Sequence, residues 1–218
     1  MKNILVFGDS NSWGYDYTTY HMETGTVERM ALEERWPGRL QLLLGDGYRV
    51  IEDCLNGRTS VMKDPFMPKR LGLKSLPIAL EAHAPLDLVV IQLGCNELKP
   101  MFHLTAEMIA AGVEQLVVEA KKKYYAYNAP QILIVIPHPT HPNILQGRLG
   151  SKFGTEAYAK SMEFSKWYQK MAIRQGVYFL DCAPLQFEIN EFDGLHYSKG
   201  DHHKLANAMA VKIRSMQL

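Results

Sequence analysis

Cysteine is scarce in this chain: Cys54, Cys95 and Cys182 are its only three, an odd number spread far apart. That excludes a disulfide framework and reads as buried free thiols in a reducing compartment. Neither sign of charge is in excess, with 24 Lys and Arg against 23 Asp and Glu and a formal net charge of +1. Such a balance offers no electrostatic drive toward nucleic acid or an anionic membrane surface. The one basic run, Lys121-Lys122-Lys123, follows an apolar-periodic segment and reads as a solvated helix end. Long hydrophobic runs are missing as well. Nothing approaches the roughly 20 apolar residues of a membrane-spanning helix. The apolar stretch after Lys2 is shorter than the h-region of about 7–15 residues in a secretory signal. The expectation is a cytoplasmic protein with no membrane partner. Also lacking are Gly-x-Gly-x-x-Gly and the P-loop pattern, which removes the common nucleotide fingerprints. There is no internal repeat, low-complexity tract or linker, so a single domain over residues 1–218 is expected.

Nearly half the residues (47%) are hydrophobic, enough for a sizeable core. Five short runs rich in Val, Ile and Leu, at 3–8, 49–55, 86–93, 131–136 and 177–180, do not alternate with polar residues. Runs of that kind suit parallel strands buried on both faces. Between them lie helical patterns. Residues 36–44 open with Pro37 in a first turn and stop at Gly45 and Gly47. Thr105 precedes an apolar-periodic segment over 106–123, and a third covers 155–174, stopped by Gly176. The last helix begins near Ser198, with Asp201 placed for a capping box and a core stripe of Leu205, Met209, Ile213 and Met216. Strands alternating with helices predict an α/β fold with a parallel sheet and right-handed crossovers. The intervals 59–84 and 138–154 read as long loops, the first with at most one short helix, and loops of that length are often functional.

The first strand ends abruptly in Gly8-Asp9-Ser10. In an open α/β sheet, ligands bind just past the carboxyl ends of the strands. A serine there is a nucleophile candidate, with free helix-start N–H groups beside it to hold an oxyanion. It would equally serve as an ordinary helix N-cap. Near the far end of the chain, Asp193-Gly194-Leu195-His196 can set a carboxylate against an imidazole, as an acyl-transfer triad requires. Asn56-Gly57-Arg58 and Gly94-Cys95-Asn96-Glu97 follow the second and third strands, and so fall at the same sheet edge. A glycine lets a backbone N–H turn into a site, and an asparagine amide is a neutral donor. Trp13, Arg58 and Phe153 are candidates to shape an acyl or alcohol pocket, with packing an equal alternative for Trp13. His138 and His141 would sit at a pocket mouth or on the surface. Among Pro137, Pro139 and Pro142 they lack an evident carboxylate, and the adjacent His202 and His203 splay apart on a helix, so no metal or other cofactor is expected.

In these blocks the chain resembles the SGNH (GDSL-type) hydrolases. The matching residues are Gly8-Asp9-Ser10, Gly57, Gly94-x-Asn96 and Asp193-x-x-His196, in the family's order and spanning almost the whole chain. Trp13-Gly14-Tyr15 and Glu34-Arg35-Trp36-Pro37 look like the arylesterase and acyltransferase branch. The resemblance implies a three-layer α/β/α sandwich, flavodoxin-like, with five parallel strands in the order 2-1-3-4-5. It implies Ser10 as nucleophile, His196 as base, Asp193 as its orienter, and an oxyanion hole from Ser10, Gly57 and Asn96. It implies hydrolysis of a small-molecule ester, with acyl transfer to an alcohol or peroxide in competition with water, and a homo-oligomer as in other members of that branch. A carbohydrate O-acetyl esterase, an acyl-CoA thioesterase or, outside enzymes, a flavodoxin-like binding module are the alternatives. Two positions depart from the pattern: Asn11 stands where the family has Leu, and Glu97 where Asp is usual.

Overall fold

The structure is a computed structural model, and it describes every residue except 124 and 126. Five parallel strands form one sheet: β1 (Lys2–Gly8), β2 (Tyr48–Cys54), β3 (Leu88–Gln92), β4 (Gln131–Ile136) and β5 (Tyr178–Asp181), in the order β2-β1-β3-β4-β5. The unbroken apolar runs are explained by cover on both faces. Ile4 and Val6 of β1, Leu88 and Val90 of β3, and Leu133 and Val135 of β4 join one core cluster. Leu5, Phe7, Val89, Ile91, Ile132 and Ile134 join the other.

Among the described residues, eight α-helices connect and cover the strands: α1 (Ser10–Trp13), α2 (Trp36–Leu44), α3 (Gly72–His83), α4 (Ala106–Ala120), α5 (Gly150–Phe153), α6 (Ala157–Met162), α7 (Phe164–Gln175) and α8 (Lys199–Ser215). The first core cluster lies under α2 and α8, which contribute Leu40, Leu205 and Met209. The second lies under α3, α4 and α7, which contribute Leu76, Val113 and Tyr168. The result is the α/β/α sandwich expected. Among the described residues, no helix is long and apolar enough to cross a membrane.

Four segments differ from the sequence reading, one being the loop expected over 138–154, where α5 takes up Gly150–Phe153. The interval 59–84 is not mainly loop: α3 occupies 12 of its residues and carries Pro77 inside. An interior proline costs about 3 kcal/mol or more. Burial of Leu76 and Leu80, at roughly 1.5–3 kcal/mol each, offsets it. The segment 155–174 is two helices, broken at Glu163. The helix expected to reach Lys123 stops at Ala120, leaving the three lysines exposed beyond its end.

The capping box of α8 is formed: Ser198 accepts the Asp201 N–H, and Asp201 accepts the Ser198 N–H. One turn on, the buried His202 accepts the Trp36 N–H on Nδ1 at 3.1 Å, tying the start of α2 to α8. Burial pushes the His202 imidazole down to about 3. Its folded value lies below the unfolded one of about 6.5. The stabilisation is therefore whole above that pH and is lost as pH falls toward 3, at up to about 1.4 kcal/mol per pH unit. Thermal melts from pH 7.5 to 5 should show the wild-type midpoint dropping more steeply than that of His202→Gln. Parallel curves would remove His202 from the acid response.

Candidate active site

Parallel strands all present their carboxyl ends at one edge, and the four sequence blocks meet there. β1 delivers Asp9 and Ser10, the loop after β2 delivers Gly57, the loop after β3 delivers Asn96, and the segment before α8 delivers Asp193 and His196. Asp9 caps α1 by accepting the Asn11 N–H at 3.0 Å, so the N-cap role falls to it and not to Ser10. Ser10 is the first helical residue, and its side chain is free for other work. Its Oγ lies 2.9 Å from His196 Nε2. On the other side of the ring, His196 Nδ1 lies 2.7 Å from Asp193 Oδ2. Ser10 and His196 are each 5% exposed and Asp193 is fully buried.

Burial alone would raise the Asp193 carboxyl. It is outweighed by the adjacent His196 and by the His196 and Leu195 N–H groups, which hold the carboxyl well below the usual range. The other Asp193 oxygen, Oδ1, accepts those two N–H groups at 3.1 and 3.0 Å and the Asn190 side-chain amide at 3.2 Å. A hydrogen-bonded carboxylate, held below the usual range, thus faces one imidazole nitrogen, and a serine hydroxyl faces the other.

Ser10, Gly57, Asn96 and His196 line one cavity of about 410 Å³, and Phe153 forms part of its wall. Gly57 turns with φ +76° and Gly94 with φ +124°, both left-handed values that favour glycine. At Gly94 a Cβ would come within 1.9 Å of the Tyr168 hydroxyl. Asn96 Nδ2 donates one hydrogen to the Arg58 carbonyl at 3.1 Å. An amide nitrogen carries two, which leaves one for the cavity. The Ser10 N–H, as the first of a helix, has no intrahelical acceptor.

Both departures from the family pattern are built into this edge. Asn11 straddles His196, accepting the Tyr197 N–H at 3.1 Å and donating to the Leu195 carbonyl at 3.4 Å. Glu97 accepts the Ser60 hydroxyl at 2.6 Å and the Ser60 N–H with the same oxygen, joining the Asn96 loop to the Gly57 loop. Burial raises the Glu97 carboxyl. Burial, with a smaller contribution from the charge of Glu97, pushes Asp9 up to about 7.

Four candidates from sequence, Trp13, Arg58, His138 and His141, lie outside this cavity wall. Trp13 is outside the cavity wall, with Arg29 stacked on its ring. Arg58 is buried beneath the site, paired with Asp53 at 2.6 Å and lying 3.9 Å over the Phe7 ring, so it braces the ends of β1 and β2. His138 and His141 line a separate cavity of about 470 Å³ with Phe187. No group of three metal-ligating side chains occurs among the described residues.

Other contacts had no individual signal. Tyr15 stacks on the His196 ring, centroids 3.9 Å apart and planes 13° from parallel. Arg148 reaches the Tyr15 hydroxyl. Tyr15 lies in the Trp13-Gly14-Tyr15 motif and Arg148 in the segment 138–154, but the sequence assigns neither a role.

Residues 6–203 match the GDSL-like lipase/acylhydrolase family. The chain belongs to that family. It is a GDSL-family hydrolase, an esterase. It is similar to the structure of the M. smegmatis aryl esterase (33% identity, 99% of each chain covered, TM-score 0.89). It is likewise similar to Est24, a carbohydrate acetylesterase from Sinorhizobium meliloti (35% identity, 99% of each chain, TM-score 0.87). A comparison with curated proteins gives no match.

Proposed function

We propose that the protein hydrolyses small, short-acyl carboxylic esters through an acyl-Ser10 intermediate. The observation that carries this reading is the continuous relay from Asp193 through His196 to Ser10. His196 Nε2 takes the Ser10 proton as Oγ attacks the ester carbonyl. The oxyanion forms against the Ser10 and Gly57 N–H groups and the free Asn96 hydrogen. His196 then protonates the departing alcohol, leaving acyl-Ser10. Water, activated by the same imidazole, releases the acid. Asp193 holds the imidazole tautomer and stabilises the imidazolium. An alcohol or peroxide entering in place of water would take the acyl group instead. A mostly buried serine beside a cavity of this volume suits a small ester better than a long acyl chain.

Fluorophosphonate labelling followed by peptide mapping tests the nucleophile, and modification at Ser10 is the expected result. A panel of phenyl acetates, acetylated sugars and acyl-CoA thioesters then ranks the substrates. Labelling at another serine, or none with an active preparation, would overturn the reading. Asn96→Ala should lower kcat about 10²–10³-fold, the usual effect of losing one oxyanion donor. An unchanged kcat would take Asn96 out of the hole.

A further inference from the structure

The cavity wall at Ser10 has an unbalanced charge. Three cationic residues, Lys99, Arg148 and Lys152, line it, and among the described residues no Asp or Glu does. Lys99 is neutralised from behind by the buried Asp64 at 2.8 Å. Arg148 and Lys152 have no carboxylate partner among the described residues.

Arg148 is nonetheless held in place. Its Nη2 donates to the Tyr15 hydroxyl at 3.0 Å, and its guanidinium carbon lies 3.9 Å over the Tyr20 ring and 5.8 Å from that of Phe192. Its backbone N–H donates to the Phe192 carbonyl at 2.7 Å. Its Nε is buried without any acceptor. A guanidinium has five N–H donors in a fixed fork suited to a carboxylate. Here one side-chain donor is used within the protein, by the Tyr15 hydroxyl, and the fork is oriented by aromatic rings. The Tyr15 ring that Arg148 holds is the one stacked on His196. The fork therefore stands one phenol ring from the imidazole, within reach of a group a few bonds from a scissile ester.

Resting on the esterase reading above, we propose that the preferred substrate is an ester bearing a carboxylate, which Arg148 receives with Lys152 adding long-range attraction. The anion sits on either the acyl part, as in a half-ester of a short dicarboxylic acid, or the alcohol part, as in an acylated hydroxy acid.

Matched esters separate these cases. Phenyl hemisuccinate is compared with phenyl butanoate for the acyl side. For the alcohol side, 3-acetoxybenzoate is compared with phenyl acetate and with the cationic 3-acetoxyphenyl-trimethylammonium. In one of the two series, kcat/KM for the anionic ester should exceed that of its neutral partner about tenfold at low ionic strength. The preference should shrink as salt rises. Arg148→Gln should remove most of it, Arg148→Lys should keep part, and the exposed Lys152→Gln should reduce it less. The ratio of two esters on one enzyme cancels any general loss of activity through Tyr15. Equal or reversed preference in both series for the wild type, or a ratio unmoved by Arg148→Gln in a variant with wild-type circular dichroism, would overturn the proposal. If Ser10 still labels and phenyl acetate is still cleaved, only the anion subsite falls. If neither occurs, the esterase mechanism and the subsite fall together.

Discussion

Ser10→Ala is expected to lower kcat for a phenyl ester by roughly 10⁵–10⁶-fold while leaving the protein folded. The size follows from the relay acting as a unit: with the nucleophile gone, the imidazole and its carboxylate have nothing to activate. A residual rate about 10³–10⁴-fold above water is expected from substrate binding and the oxyanion donors alone. The fold should hardly notice. Asp9, not Ser10, supplies the α1 cap, and the lost contact is one hydrogen bond of 2.9 Å to His196. A typical hydrogen bond contributes about 0.5–1.5 kcal/mol net. For a chain of this size that is a shift of no more than a few degrees in Tm. The decisive measurement is the initial rate of purified variant protein, with its melting curve taken in parallel. More than about 1% of wild-type kcat, with an unchanged Tm, would mean that another group attacks the ester.

The strands and the site blocks were legible for a shared physical reason. A parallel strand covered on both faces must be apolar throughout, as Ile4 to Phe7 are, and it must end where polar catalytic groups meet solvent. Helix α3 was obscured because Pro77 is a strong local breaker, and only tertiary burial of Leu76 and Leu80 overrides it. The break between α6 and α7 left no mark, since Glu163 itself stays in the right-handed helical region with φ −88° and ψ −4°. Pocket residues were the hardest to read. Arg58 reads from sequence as a pocket candidate, yet its guanidinium pairs with Asp53. Arg148 and Tyr15 are distant in sequence and meet only once the segment 138–154 folds over the site. Asn11 was legible as a departure from the family pattern, but its work, holding both backbone neighbours of His196, is set by the spatial approach of two termini.

Asp193→Asn should lower kcat by about 10⁴-fold, and the cause would be a proton on the wrong nitrogen. The wild-type carboxylate only accepts, so His196 must present N–H on Nδ1 and a lone pair on Nε2 toward Ser10. An asparagine can keep Oδ1 on the Leu195 and His196 N–H groups, which accept no substitute donor. Its NH₂ then points at Nδ1, which becomes the acceptor. The ring proton moves to Nε2, where it can no longer take the serine proton. Structure and chemistry separate here: Asp193→Ala would also leave those buried N–H groups unpaired, at about 1–3 kcal/mol each, and should melt well below Asp193→Asn. The pH response has a definite sign. The folded Asp193 carboxyl sits below its unfolded value, so its stabilisation is present above about pH 3.9 and is lost only as pH falls below that. Any decline in wild-type activity between pH 7 and 5 must therefore arise from a group other than Asp193. Steady-state kinetics of both variants on one phenyl ester, with melting curves beside them, decide the matter. An Asp193→Asn enzyme within tenfold of wild type would show that His196 finds its tautomer without this carboxylate.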